Sequence, residues 1–133
     1  MTAWVAARRA TLLIPSGPAH DPNRKHLQIV LTDPIAATGE VLVVGVMSIP
    51  PSNLYDGSCT LFPGEHSFIV KHSFVAYKFG HVVSAATLEA KVAAGEFTAK
   101  PLLDEKRFAD VIEGLKCSPH VTPKIRRFFD AAT

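Results

Sequence analysis

The 133-residue chain has no apolar stretch of membrane-spanning length. Its longest, Val41 to Ile49, falls far short of the roughly 20 residues that a bilayer requires. Cysteine is scarce: Cys59 and Cys117 stand alone, in no CxxC spacing, so neither a zinc site nor a disulfide framework is indicated and reduced thiols are expected. An excess of one charge is missing too. Fourteen Lys+Arg against twelve Asp+Glu leave +2, which argues against a broad nucleic-acid-binding field and makes any basic site a local one. The run Thr11 to Ile14, preceded by Arg8 and Arg9 and cut by Pro15, is too short for the apolar core of a secretory signal, and no small-residue cleavage pattern follows it. A cytoplasmic protein with no membrane partner is the expectation. Gly39, Gly45 and Gly57 lack the spacing of a phosphate-binding or dinucleotide loop. The six histidines include no i,i+4 pair, no HxH and no HExxH, so no metal and no cofactor are expected.

What is present is a globular balance. Hydrophobic residues make up 47% and charged residues 20%, and the length suffices for one domain over 1–133 with a core that needs no covalent staples. The first half reads as strands: Ala10–Ile14, then Leu27 to about Thr32, then the almost continuously apolar Glu40–Ile49, which suits a strand buried on both faces. Cys59–Phe62 is a short strand between turn signals. Residues 67–83 read as two strands or one long bent strand, with Gly80 marking a bulge or a close backbone approach. Helices follow. Ser84 or Thr87 caps the first, which Gly95 stops; Asp104 caps a second ending before Ser118; Thr122 and Pro123 start a third. The expected fold class is α+β, mainly β: a small, curled antiparallel barrel over about 10–95 with short helices, and a C-terminal helical appendage over about 104–131.

Three groups of residues are candidates for chemistry. The heptapeptide from His20 to His26 gathers Arg24, Lys25 and His26 at the mouth of the Leu27 strand. A guanidinium fork suits a phosphate, and an imidazole exchanges a proton near neutral pH. Together they suit RNA cleavage, in which a 2′-hydroxyl loses a proton and an anionic phosphorane is stabilised. The plainer alternative is a solvated loop with Arg24 or Lys25 paired to Asp21. Ser48 ends an otherwise apolar strand, where its hydroxyl faces a cleft or bonds to backbone; no Gly-x-Ser-x-Gly elbow surrounds it. Glu65 and His66 follow Gly64 in a turn and form either an acid–base pair or a strand-end cap. Lys71, near the break in 67–83, is a further cation.

The order of these features resembles the MazF/PemK-like family, the small SH3-like barrel toxins of type II toxin–antitoxin systems. The segments carrying the resemblance are Arg24 to Leu31, Val43 to Ser48, and Ser73 to Leu88 followed by Gly95. The family's proline after the arginine is Lys25 here. The resemblance implies a metal-independent endoribonuclease on single-stranded RNA, acting as a homodimer that a cognate antitoxin protein occupies. Arg24 would stabilise the phosphate, Ser48 would hold the scissile group, and His26 or His66 would move the proton, with Lys25, Glu65 and Lys71 binding substrate. A catalytically silent binding module of the same fold, for protein or nucleic acid, is the alternative. A third reading is an unrelated hydrolase built on Glu65 and His66.

Overall fold

A computed structural model describes residues 3–15 and 24–133; His20 to Asn23, including the Asp21 of the expected salt bridge, lie outside the described residues. The elements in chain order are β1 (Thr11–Pro15), β2 (Lys25–Val30), β3 (Glu40–Ser48), β4 (Thr60–Leu61), β5 (Ser73–Ser84), α1 (Ala85–Ala93), β6 (Thr98–Lys100), α2 (Glu105–Cys117) and α3 (Pro123–Ala132). The strands form one curled antiparallel sheet in the order β4-β5-β3-β2-β1-β6, a half-barrel with β4 and β6 at its edges. Its central strand, β3, is the one with the continuous apolar run. Alternate side chains of β3 enter two separate clusters, Leu42, Val44 and Val46 on one face and Val41 and Val43 on the other. A strand covered on both sides has no polar face to show, and this is why its sequence does not alternate.

The helices are set by their caps. Ser84, Asp104 and Thr122 accept hydrogen bonds from the backbone N–H groups of Thr87, Arg107 and Ile125, and Pro123 occupies the first turn of α3. Gly95 follows α1 with φ of 79°, the left-handed conformation that glycine adopts without strain. The C-terminal helices are not an appendage. Phe108, Val111 and Leu115 of α2 and Ile125 and Phe129 of α3 share one buried cluster with Leu27, Ile29, Leu42 and Val44 of the sheet. The opposite face is covered in part by α1, through Ala85 and Leu88, and by the segment before β1, through Ala6 and Ala10.

Two local differences from the sequence reading have physical reasons. Residues 67–72 do not continue β5; they form a loop in which Val70 is 76% exposed, so its apolar alternation was not a buried face. The strand β6 went unforeseen because three residues between a glycine stop and Pro101 carry too little pattern to register. Gly80 does sit at an irregularity: Val43 faces His81 whereas Gly45 faces Ala76, and a Cβ on Gly80 would lie 3.2 Å from the Tyr77 carbonyl.

A close approach joins β5 and α2. Tyr77 is fully buried and its hydroxyl donates to the Val111 carbonyl at 2.6 Å. Desolvation holds that phenol protonated far above its ordinary range, and the same burial pushes the neighbouring Cys59 thiol up to about 11. Gly114 makes the approach possible: a Cβ there would overlap the Tyr77 hydroxyl and stand 2.8 Å from the Cys59 Cβ. Nearby, Asp56 ties the loop before β4 to the α2–α3 junction, accepting from Ser118 Oγ at 2.5 Å, Ser58 Oγ at 2.6 Å and the Ser58 N–H at 3.0 Å. Burial alone would raise the Asp56 carboxyl, but these bonds outweigh it and hold it below its ordinary value.

Gly114→Ala is expected to destabilise the protein by about 1–3 kcal/mol through overpacking against Tyr77, read as a lowered midpoint in urea. Asp56 takes up its proton more readily in the unfolded chain. Its contribution is therefore complete above the ordinary carboxylate range and is lost as pH falls through that range towards the depressed folded value. Stability measured against pH should fall less steeply below about pH 4 in Asp56→Asn than in the wild type, and an unchanged acid limb would refute the assignment.

Candidate functional site

The expected site lies where the strand ends meet. Strands β2 and β3 run antiparallel and pair from Val30 and Val43 as far as Gln28 and Gly45, beyond which Lys25 and Ser48 line one cleft. On the other side of β3, Ser48 faces Ser73, the first residue of β5. Above these ends the 67–72 loop folds over, held by Ile69 in the core and by the Ser73 hydroxyl donating to the Lys71 carbonyl at 2.8 Å. The result is a cleft of about 370 Å³ lined by Arg24, Lys25 and His26, by Ser48 and Ser73, and by Lys71 among others.

Its electrostatics are one-sided. Arg24, Lys25 and Lys71 are exposed and make no ion pair among the described residues, whereas Arg9, Lys91, Lys106 and Arg107 pair with Glu105, Glu96, Asp110 and Glu65 in turn. Three cations beside two hydroxyls make a receptor for an anion with several oxygen atoms, a phosphate first among them. His26 is half-buried. Its desolvation, and secondly the Arg24 charge beside it, lower its pKa below the ordinary imidazole value, so the ring is a proton acceptor at neutral pH. Phe68 completes the rim, with the Lys100 ammonium 5.6 Å from its ring centroid.

Glu65 and His66 lie elsewhere, and both are engaged. Glu65 accepts from the Phe62 N–H at 2.6 Å and pairs with Arg107 of α2. His66 is buried; its Nδ1 accepts from the Phe68 N–H at 3.0 Å, which puts the hydrogen on Nε2. That Nε2 stands 2.9 Å from the Pro101 carbonyl and 3.1 Å from the Thr11 hydroxyl, which itself donates to Pro101 at 2.6 Å. The imidazole thereby braces the turn against β1 and the residue after β6. The structure brings Arg24, Lys25, His26, Ser48 and Lys71 together and keeps Glu65 and His66 apart from them. Ser73 joins the cleft without having been singled out, because only the β3–β5 register reveals it as the neighbour of Ser48. Among the described residues no group of three or more His, Cys, Asp or Glu side chains is placed to hold a metal ion, and no helix is long and apolar enough to cross a membrane.

No known protein-family model matches this chain, and no curated protein matches it.

His66→Ala is expected to cost about 1–3 kcal/mol, because it leaves Thr11, Pro101 and the Phe68 N–H without their buried partner. Thermal unfolding tests this: a variant melting with the wild type would show that the brace carries no load.

Proposed function

We propose that the cationic cleft is the site of an endoribonuclease that cleaves single-stranded RNA without a metal ion. The observation that carries this reading is the convergence of Arg24, Lys25, His26, Ser48 and Lys71, from three separate stretches of sequence, on one cleft. In this reading the scissile phosphate lies between the Arg24 guanidinium and the Ser48 hydroxyl. His26, neutral at pH 7, takes the proton from the 2′-hydroxyl as it attacks phosphorus. The guanidinium and the two lysines meet the negative charge that builds on the equatorial oxygens, and the 5′-oxygen leaves as a hydroxyl, taking its proton from water, to give a 2′,3′-cyclic phosphate. Arg24 has two effects here: it stabilises the phosphorane, and its charge adds to the burial that lowers the His26 pKa.

The reading extends to the MazF/PemK-like resemblance. The curled sheet is then an SH3-like half-barrel, the working unit a homodimer, and a cognate antitoxin protein the occupant that blocks the cleft. The carboxylates of such a partner would meet the same three cations as an RNA backbone does. A catalytically silent module that binds RNA or protein in the same cleft is the second reading, favoured by the open, solvent-facing placement of Lys25 and Lys71.

Purified protein incubated with a 5′-labelled single-stranded RNA in EDTA should yield cyclic-phosphate ends. Arg24→Ala should lower the rate by about 10²–10³-fold. The rate should fall on the acid side of the ordinary imidazole range, as His26 takes up its proton, and that limb should vanish in His26→Asn. Binding of RNA with no cleavage by the wild type would favour the silent module. Cleavage that survives Arg24→Ala would overturn the assignment of the site.

A further inference from the structure

Among the described residues, the sheet face turned away from α2 and α3 is covered at one end only. There α1 and the segment before β1 pack on Leu12, Val30, Val41 and Val43. At the other end Gln28, Gly45 and Ala76 stand in one cross-strand row, Gln28 facing Gly45 and Gly45 facing Ala76. Glycine supplies no side chain and alanine only a methyl group, so the row sinks into a hollow of about 300 Å³ whose lining comes from strands alone. His26, Met47, Phe79 and His81 stand around it, and Phe79 is 63% exposed, with the Lys78 ammonium 5.6 Å from its ring centroid.

The floor of the hollow carries a second sign. Gln28 is only 9% exposed, yet its carboxamide makes no hydrogen bond among the described residues. It lies across Gly45, where a Cβ would come within 3.1 Å of Nε2 and 3.3 Å of Oε1. The amide atoms keep contact with solvent, so the little exposure left to Gln28 puts a donor and an acceptor into the hollow. Donor and acceptor side by side match the edge of a nucleobase, and an exposed aromatic ring beside them matches its face. His26 and Met47 line both this hollow and the cationic cleft, so the two cavities share a wall.

We propose that the hollow over Gln28, Gly45 and Ala76 is a nucleobase-binding subsite, taking one base of a single-stranded RNA whose adjoining phosphate lies in the cationic cleft. The Gln28 carboxamide reads the base edge, and Phe79 stacks on the base. Gly45 keeps the floor open, and His26 stands at the turn between base and phosphate. The inference rests on the RNA reading of the cleft but not on cleavage.

Binding alone tests it, with 5′-labelled 2′-O-methyl homopolymer pentamers that cannot be cut, followed by fluorescence anisotropy. The wild type should prefer one base by about tenfold. Gln28→Leu should level the four affinities while keeping their common salt dependence, and Gly45→Val, which fills the hollow, should do the same. Phe79→Ala, at an exposed position where folding is not at stake, should weaken all four by about tenfold, since stacking tolerates any base. Arg24→Ala should weaken all four and flatten the salt dependence while leaving the preference in place. A wild type that binds the four pentamers equally, or not at all, overturns the proposal. So does a preference that survives both Gln28→Leu and Gly45→Val. The two readings separate cleanly. Base preference without cleavage of ordinary RNA sustains the subsite and sinks the nuclease, whereas cleavage with a preference blind to Gln28 does the reverse.

Discussion

The hydrogen bond from the Tyr77 hydroxyl to the Val111 carbonyl, made beneath Gly114, is the joint on which the architecture depends. A phenol buried this deeply needs a partner, and a helix carbonyl reaches it only if the helix comes closer than any residue but glycine allows. That proximity seats α2 on β5, and with it the whole cluster in which α2 and α3 close the concave face of the sheet. A six-stranded half-barrel left open would expose this apolar face. The helices therefore complete the core rather than decorate it, and on the opposite face α1 and the segment before β1 cover one end.

The cleft follows from how the strands end. Because β3 lies between β2 and β5, residues from three distant stretches arrive at one cleft: Lys25 at the start of β2, Ser48 at the end of β3 and Ser73 at the start of β5. Strand ends are where backbone pairing stops and side chains of any type are tolerated, so cations and hydroxyls collect there at little cost to the fold. Glu65 and His66, by contrast, bond to backbone groups and fasten the overlying loop. Polar residues of the same kinds thus do opposite work a few residues apart, some held open to solvent and others spent on the scaffold.

Much of the fold was legible in the chain. The caps at Ser84, Asp104 and Thr122 and the stop at Gly95 depend on local chemistry that a sequence displays directly, and the unbroken apolar run of β3 announces a strand covered on both sides. The loop at 67–72 misled because Phe68 and Val70 mimic a buried alternation while facing outward. The site was half legible. Arg24, Lys25 and Ser48 stand out as charge and as an interruption of apolar runs, but their companionship with Ser73 and Lys71 is a matter of register, which no single segment encodes. Gln28 was invisible for a similar reason: one polar residue in an apolar strand means little until the glycine facing it is known.

Strands β3 and β5 are direct neighbours in the sheet, yet residues 49–72 intervene between them in the chain. Within it β4 joins the sheet against β5, and residues 67–71 supply the roof of the cleft, while the floor belongs to the strands. Floor and roof are thereby encoded in separable segments, one constrained by the ladder on both sides and the other anchored chiefly at Ile69, Glu65 and His66. Substitutions, and even changes of length, between those anchors can reshape the entrance without disturbing a single ladder hydrogen bond. The scaffold is built so that what it admits is free to diverge while what holds it together is not.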